Sequence, residues 1–271
     1  VRDHADQIDA VICVSRLMQW YILMHGGLER NQVAHIRCGA RAARGWPEGR
    51  RSKGRPLVVG YCGKVTTRQK RVLDLLGFVE QASALGLALC IRIAGEGDAT
   101  ERLMDGLRCQ GVEAEFLGQL TKDRLYGDFY PSLDALVIFS ECETGPIVAW
   151  EAMAHGVLVV SSEYRGQRLE RVLIDGECAI TFPVGRPEIG AAKLAQQSGD
   201  ITRIAERGHE IAERDLTIER MVLDTERLFY EVRGRPPRKV AGQNSADEGR
   251  VAVREWLEDR LRGLLGKPIH H

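Results

Sequence analysis

Long apolar runs are missing from this chain. Nothing in it is apolar for long enough to span a bilayer, and its opening residues carry no secretory pattern. Net charge is missing too: the 38 basic and 38 acidic side chains cancel, so no overall field favours nucleic acid or an anionic membrane. The seven cysteines, at 13, 38, 62, 90, 109, 142 and 178, make no C-x-x-C pair and no other metal-ligand spacing. An odd scatter of this kind is not a disulfide framework, which points to a reducing cytoplasm. What remains is a hydrophobic content of 44% in 271 residues, ordinary for one large globular domain or two small ones. The chain opens on Val1 rather than Met and runs directly into helix and strand material, so a piece of a longer protein is expected.

From residue 57 onward, strand and helix patterns alternate. Apolar runs at 57–61, 87–94, 114–117, 133–140, 157–161 and 178–182 read as strands, and helical patterns at 71–85, 99–109, 122–130 and 146–155 lie between them. Such alternation requires right-handed crossovers and predicts an α/β fold with a doubly wound parallel sheet, whose ligands bind at the carboxyl ends of the strands. Ahead of the sheet, residues 10–14 and 33–37 are strand-like, and Ser15 is placed to cap a helix over 16–25. Residues 43–56, rich in Arg, Gly and Pro, read as a linker. Beyond the sheet, 188–197 and 201–233 are helical patterns, ended by Gly234-Arg235-Pro236-Pro237. A polar stretch then leads to Val251, Val253, Trp256, Leu257, Leu261, Leu264 and Leu265, an apolar stripe at helical spacing. That stripe packs on its own protein, lies on a membrane surface or docks a partner.

One stretch concentrates the chemistry: Glu143-Thr144-Gly145-Pro146-Ile147-Val148-Ala149-Trp150-Glu151, continuing through Ala152-Met153-Ala154-His155-Gly156. Gly145 permits a tight turn, Pro146 suits the first helical position, and Gly156 stops the helix. The amides of Gly145, Ile147 and Val148 then face out of a positive helix end, which suits a phosphate. Two carboxylates flank that end, Glu143 before it and Glu151 in the second turn. They can accept hydroxyls on either side of a diphosphate.

The spacing Glu, seven residues, Glu, followed by Ala-Met-Ala-x-Gly and preceded by Ser140, resembles the signature of the retaining family 4 glycosyltransferases. The resemblance implies a GT-B fold, in which two Rossmann-like domains face each other across a cleft and the C-terminal one holds a nucleotide sugar. Residues 1–42 would be the remnant of the N-terminal acceptor domain, with Gly39 at its closing glycine, and 43–56 the linker. Residues 57–200 would be the nucleotide-sugar-binding domain, 201–233 the helix that crosses back, and 234–271 a flexible linker and amphipathic helix. N- and C-terminal helical extensions thus flank the sheet.

The resemblance also assigns roles. Gly63 and Lys64, after the first strand, and Lys70 match the positions that contact the donor diphosphate; Lys64 stands where arginine is usual, so the bidentate fork is lost. Gly95-Glu96-Gly97 lacks the third glycine of a dinucleotide fingerprint and resembles instead the loop lining the nucleotide pocket, to which Gly95 and Gly97 would contribute. Phe116 and Leu117, before Gly118, resemble the segment against which the base packs, although Phe116 also fits a plain core strand. Glu143, Lys64 and Lys70 would act at the reacting end. Thr144, Gly145, Ile147 and Val148 would hold sugar and phosphate, and Glu151 the ribose.

The same resemblance implies hexosyl transfer with retention, in polysaccharide, glycolipid or small-molecule glycosylation, without metal or cofactor. The glycine-rich loop and histidine that the N-terminal domain normally supplies are not found in residues 1–56, where His4, His25 and His35 lack that context. The isolated chain is therefore expected to bind a nucleotide sugar but to transfer poorly. Its expected partners are the nucleotide sugar, an unnamed acceptor and the missing N-terminal domain, with no nucleic acid; its expected location is cytoplasmic, with peripheral contact at the inner membrane face as an option. A sugar-nucleotide epimerase and a non-catalytic nucleotide-sugar-binding module are the alternatives.

Overall fold

The computed structural model describes residues 1–41 and 55–235. Nearly all of the linker expected at 43–56, and the whole apolar stripe of the tail, lie outside the described residues. Two short strands, β1 (Val11–Cys13) and β2 (Val33–His35), pair in parallel as a sheet of their own. Helix Arg16–His25 connects them, as expected, and Ser15 caps it by accepting from the Met18 amide at 3.1 Å.

The main sheet contains β3 (Leu57–Cys62), β4 (Leu89–Ala94), β5 (Glu113–Phe116), β6 (Ala135–Ile138), β7 (Leu158–Ser162) and β8 (Ile180–Phe182). All its pairings are parallel, in the order β5-β4-β3-β6-β7-β8. Its central strands are apolar without interruption because both faces are covered. Every residue of β6 and β7 is buried. Alternate residues feed two cores: Val59, Val137 and Phe139 join Leu75, Phe78, Leu103 and Leu107 on one face. Leu136, Ile138 and Val159 join Tyr130, Trp150 and Met153 on the other. The doubly wound α/β prediction therefore holds.

Three expected helices differ in detail. The helix expected at 71–85 begins only at Asp74, because Arg71 takes a left-handed conformation with φ 48°. The helix expected at 122–130 is a chain of short turns, with a π-helical turn at Leu125–Phe129 between Lys122–Arg124 and Tyr130–Ser132. The helix expected at 201–233 is two helices, Ile201–Asp215 and Ile218–Arg233. Its break is made by tertiary contact: the Ala40 amide donates to the Leu216 carbonyl at 2.7 Å, and Thr217 caps the second helix by accepting from the Arg220 amide. A Cβ on Gly39 would lie 2.4 Å from the Thr217 carbonyl oxygen, so only glycine allows this approach. Helix Ile218–Arg233 then runs back along the N-terminal unit, and Arg235 donates to the Asp9 carbonyl at 3.3 Å. Among the described residues no helix is long and apolar enough to cross a membrane.

The loops that follow β3, β4 and β5 interlock through backbone. Gly63 donates to the Ala94 carbonyl at 2.9 Å and Gly95 to the Gly118 carbonyl at 2.8 Å. A Cβ on Gly95 would stand 1.9 Å from the Gly63 carbonyl oxygen, in a residue whose φ is 136°. Gly95→Ala is therefore expected to cost about 2–3 kcal/mol, or roughly 4–12 °C in thermal midpoint. Thermal denaturation followed by circular dichroism measures this, and an unchanged midpoint would contradict the interlock.

Candidate functional site

The strand order places β4 and β5 on one side of β3, and β7 and β8 on the far side of β6. Connections therefore leave β3 and β6 in opposite directions, and the loops at their carboxyl ends part to form a crevice. The loop from Gly63 to Lys70 makes one wall and the loop from Phe139 to Pro146 the other. Gln69, which nothing in the sequence singled out, ties them together. Its side-chain amide donates to the Cys142 carbonyl at 2.9 Å, and its own carbonyl accepts from the Glu141 amide at 3.0 Å.

At the bottom of these walls sits Glu143, only 9% exposed. One of its oxygens, Oε1, accepts from both Lys70 Nζ at 2.6 Å and Ser140 Oγ at 2.5 Å. Two predicted residues 73 positions apart thus meet directly, and Ser140 joins them. The cation and the hydroxyl supply hydrogen-bond partners to a carboxyl group that would be costly to bury alone. Lys64 is exposed and makes no ion pair with any described residue, while its carbonyl accepts from the Tyr61 hydroxyl at 2.7 Å, which pins the turn.

Gly145 turns the second wall with φ 102°. Helix Ile147–Ala154 follows, with Pro146 as its N-cap rather than its first helical residue. The amides of Gly145, Ile147 and Val148 make no hydrogen bond to a described residue, and Thr144 and Ile147 are exposed beside them. Free donors at a helix N-terminus attract an anion.

Glu151 departs from the simple picture of an open acceptor. It is 8% exposed, and its two oxygens accept from Tyr126 and Tyr130 hydroxyls, each at 2.7 Å. Each carboxylate oxygen has room for a second donor, so a ribose would share acceptors that tyrosines already occupy. His155 stacks on both rings, with centroids 5.4 Å and 5.2 Å away, and its Nδ1 lies 2.7 Å from the Glu151 carbonyl. Burial raises both phenols well above their ordinary value, and the neighbouring Glu151 adds to this, so they remain donors. Burial also pushes the nearby Cys62 thiol up to about 11. Neither tyrosine was foreseen. Their only signal is a Tyr-x-x-x-Tyr spacing, and the π-helical turn carrying Tyr126 decides its direction.

Next to the Gly63 loop, a cavity of about 530 Å³ is lined by Gly95, Gly97, Phe116 and Gly118 together with Glu96, Asp98, Thr100 and Glu101. Gly95, Gly97 and Phe116 were expected there; the three carboxylates were not. Phe116 both lines the cavity and packs on the core, so its two readings coexist. Leu117 does not line it. Its amide continues the sheet pairing by donating to the Ile93 carbonyl at 2.8 Å, and its side chain packs on the opposite core.

A six-stranded parallel sheet with this crevice has the architecture of a Rossmann-like domain of the GT-B glycosyltransferases. The chain belongs to the glycosyl transferases group 1 family, whose profile matches residues 56–200, more than half of its length. Among solved structures it is similar to the apo form of the lipopolysaccharide outer core galactosyltransferase WaaB, with a TM-score of 0.66 at 19% identity over 82% of this chain and 62% of that one. It is also similar to Anabaena Alr3699/HepE in complex with UDP and glucose, with a TM-score of 0.69 at 17% identity, covering 85% of this chain and 65% of the other. Sucrose-phosphate synthase from Thermosynechococcus elongatus gives a TM-score of 0.69 at 19% identity, covering 85% and 60%. The chain thus spans less than two thirds of each of these proteins. A direct comparison with curated protein sequences finds no match.

The tyrosine pair around Glu151 can be tested by itself. Tyr130→Phe deletes one of two hydroxyls that satisfy a buried carboxylate, and is expected to cost about 1–3 kcal/mol in chemical denaturation. Tyr126→Phe, at a less enclosed position, is expected to cost less. Equal, negligible losses in both would show that the carboxylate does not depend on them.

Proposed function

We propose that this chain is the donor-binding half of a retaining family 4 glycosyltransferase, acting on a nucleoside diphosphate hexose in the assembly of a polysaccharide or related glycoside. The observation that carries this reading is the Lys70–Glu143–Ser140 cluster beside a helix N-terminus, at the point where the sheet changes direction. The amides of Gly145, Ile147 and Val148, with Lys64 and Lys70, supply the positive field for a diphosphate. Glu143 is held where it can accept hydroxyls of the transferred sugar. The Gly95–Gly118 cavity takes the base, with Phe116 as a packing surface. UDP is bound in one similar structure, which makes it the first nucleotide to try.

In this reading Glu143 positions the sugar and is not a proton carrier, because its Oε1 is engaged by an ammonium and a hydroxyl. Lys70 neutralises charge as the diphosphate departs, and Lys64 assists from the exposed edge. Cation and amide donors in this number provide for the leaving group without a metal. The acceptor is bound by a further N-terminal domain, and the chain acts on the cytoplasmic side, with the tail as the candidate for peripheral membrane contact.

Calorimetric titration with UDP, GDP, ADP and their sugar conjugates tests the reading. One nucleotide is expected to bind, and Lys70→Ala is expected to weaken it about tenfold or more, the equivalent of roughly 1.5–3 kcal/mol for a charged hydrogen bond. The isolated chain is expected to show little transfer. Absence of binding by every nucleotide, or binding untouched by Lys70→Ala, would refute the assignment.

A further inference from the structure

Outside the crevice, one buried carboxylate is surrounded by groups from a different part of the chain. Glu170, at the end of the short helix Gln167–Glu170 that follows β7, is only 4% exposed. Its Oε1 accepts from the Arg16 amide at 2.6 Å, in the first turn of helix Arg16–His25. Its Oε2 lies 3.4 Å from Arg37 Nε and 3.5 Å from His35 Nε2, and its backbone carbonyl accepts from Arg37 Nη2 at 2.8 Å. Every one of these partners belongs to the N-terminal unit. Burial alone would raise the carboxyl, but the His35 ring, the Arg16 amide and the Arg37 charge bring it below its ordinary value.

The same contact reaches the donor loop. Arg16, held by Glu170, lies two residues after Val14, whose carbonyl oxygen stands 3.2 Å from where a Gly145 Cβ would be. Leu17 packs on Gly166, where a Cβ would lie 2.9 Å from its own. Tyr164, which follows β7, is 3% exposed, and its hydroxyl has no hydrogen-bond partner among the described residues. Burial raises its phenol, and the charges of Glu170 and Glu143 add to the effect.

We propose that Glu170 is a positioning residue that clasps the N-terminal unit against the donor loop, so that residues 14–16 complete the wall of the crevice at Gly145. A carboxylate at a helix N-terminus, buried and paired with arginine, is a strong local anchor; removing it leaves the Arg16 amide without its partner and takes from Arg37 the ion pair, while the bond to the Glu170 carbonyl stays. The clasp stands on these contacts alone. Its consequence for ligand binding rests on the donor-site reading above.

Hydrogen exchange and nucleotide titration on the whole chain separate the two. In Glu170→Ala, amides of residues 11–37 are expected to exchange at least tenfold faster while those of β3–β8 keep their protection. Arg37→Ala should shift the same amides in the same direction, and Glu170→Gln, which still accepts from Arg16, should fall between. The nucleotide bound by the unaltered chain should bind Glu170→Ala three- to tenfold more weakly. Unchanged exchange at 11–37, or equal loss of protection in the sheet, would overturn the clasp. If no nucleotide binds the unaltered chain, the donor reading fails and the exchange result still decides the clasp.

Discussion

A carboxylate held at the carboxyl end of a central strand is stable only if cation and hydroxyl partners reach it, and the site of this protein is arranged around that requirement. Glu143 cannot be left alone in its position, so the loop after β3 must bring Lys70 to it and the loop after β6 must bring Ser140. Gln69 bolts these loops together, and the left-handed Arg71 turns the chain away from the crevice into helix Asp74–Ala84. An ion pair this sheltered contributes little net stability, because desolvation offsets its Coulomb attraction. Its value is geometric: it aims an ammonium and a carboxylate into one small volume beside free helix amides.

Glu151 obeys the same rule with different partners. No cation is hydrogen-bonded to it among the described residues; two phenols satisfy it instead. The π-helical turn that carries Tyr126 toward the carboxylate is a departure from regular helix, and such turns recur at functional sites. His155 stacked on both rings closes that arrangement from the helix end. Glycine does comparable work on the other side of the crevice. The close approach of Gly95 to Gly63 leaves no room for a side chain and brings the cavity up against the loop that follows β3.

The N-terminal unit is small, and no residue of its helix Arg16–His25 is buried, yet it is tied to the rest of the chain at several places. Gly39 and Ala40 meet the break between the last two helices, and Arg16, His35 and Arg37 meet Glu170. Both ties combine polar contacts with close packing, since Leu17 lies against Gly166 and Ala40 is buried in the same core as Leu216. Contacts of this kind hold a defined geometry at modest energy.

Most of the architecture was legible along the chain, because buried parallel strands are written as unbroken apolar runs and the crossovers between them follow one hand. The Glu143–Glu151 segment was legible for a related reason: turn, helix start and helix stop have local causes in Gly145, Pro146 and Gly156. Helix ends set by distant contacts were not legible, since nothing in 201–233 itself reveals that Ala40 will break it at Leu216. Nor were the groups that satisfy the buried carboxylates. Lys70 meeting Glu143, the tyrosines meeting Glu151 and Arg16 meeting Glu170 are pairings between segments far apart in sequence. The sequence by itself determined the strands, their order of appearance and the residue types available at their ends. Only the tertiary structure decided which of those residues share a charge, because electrostatic partnership depends on distance and burial, and neither exists until the chain has folded.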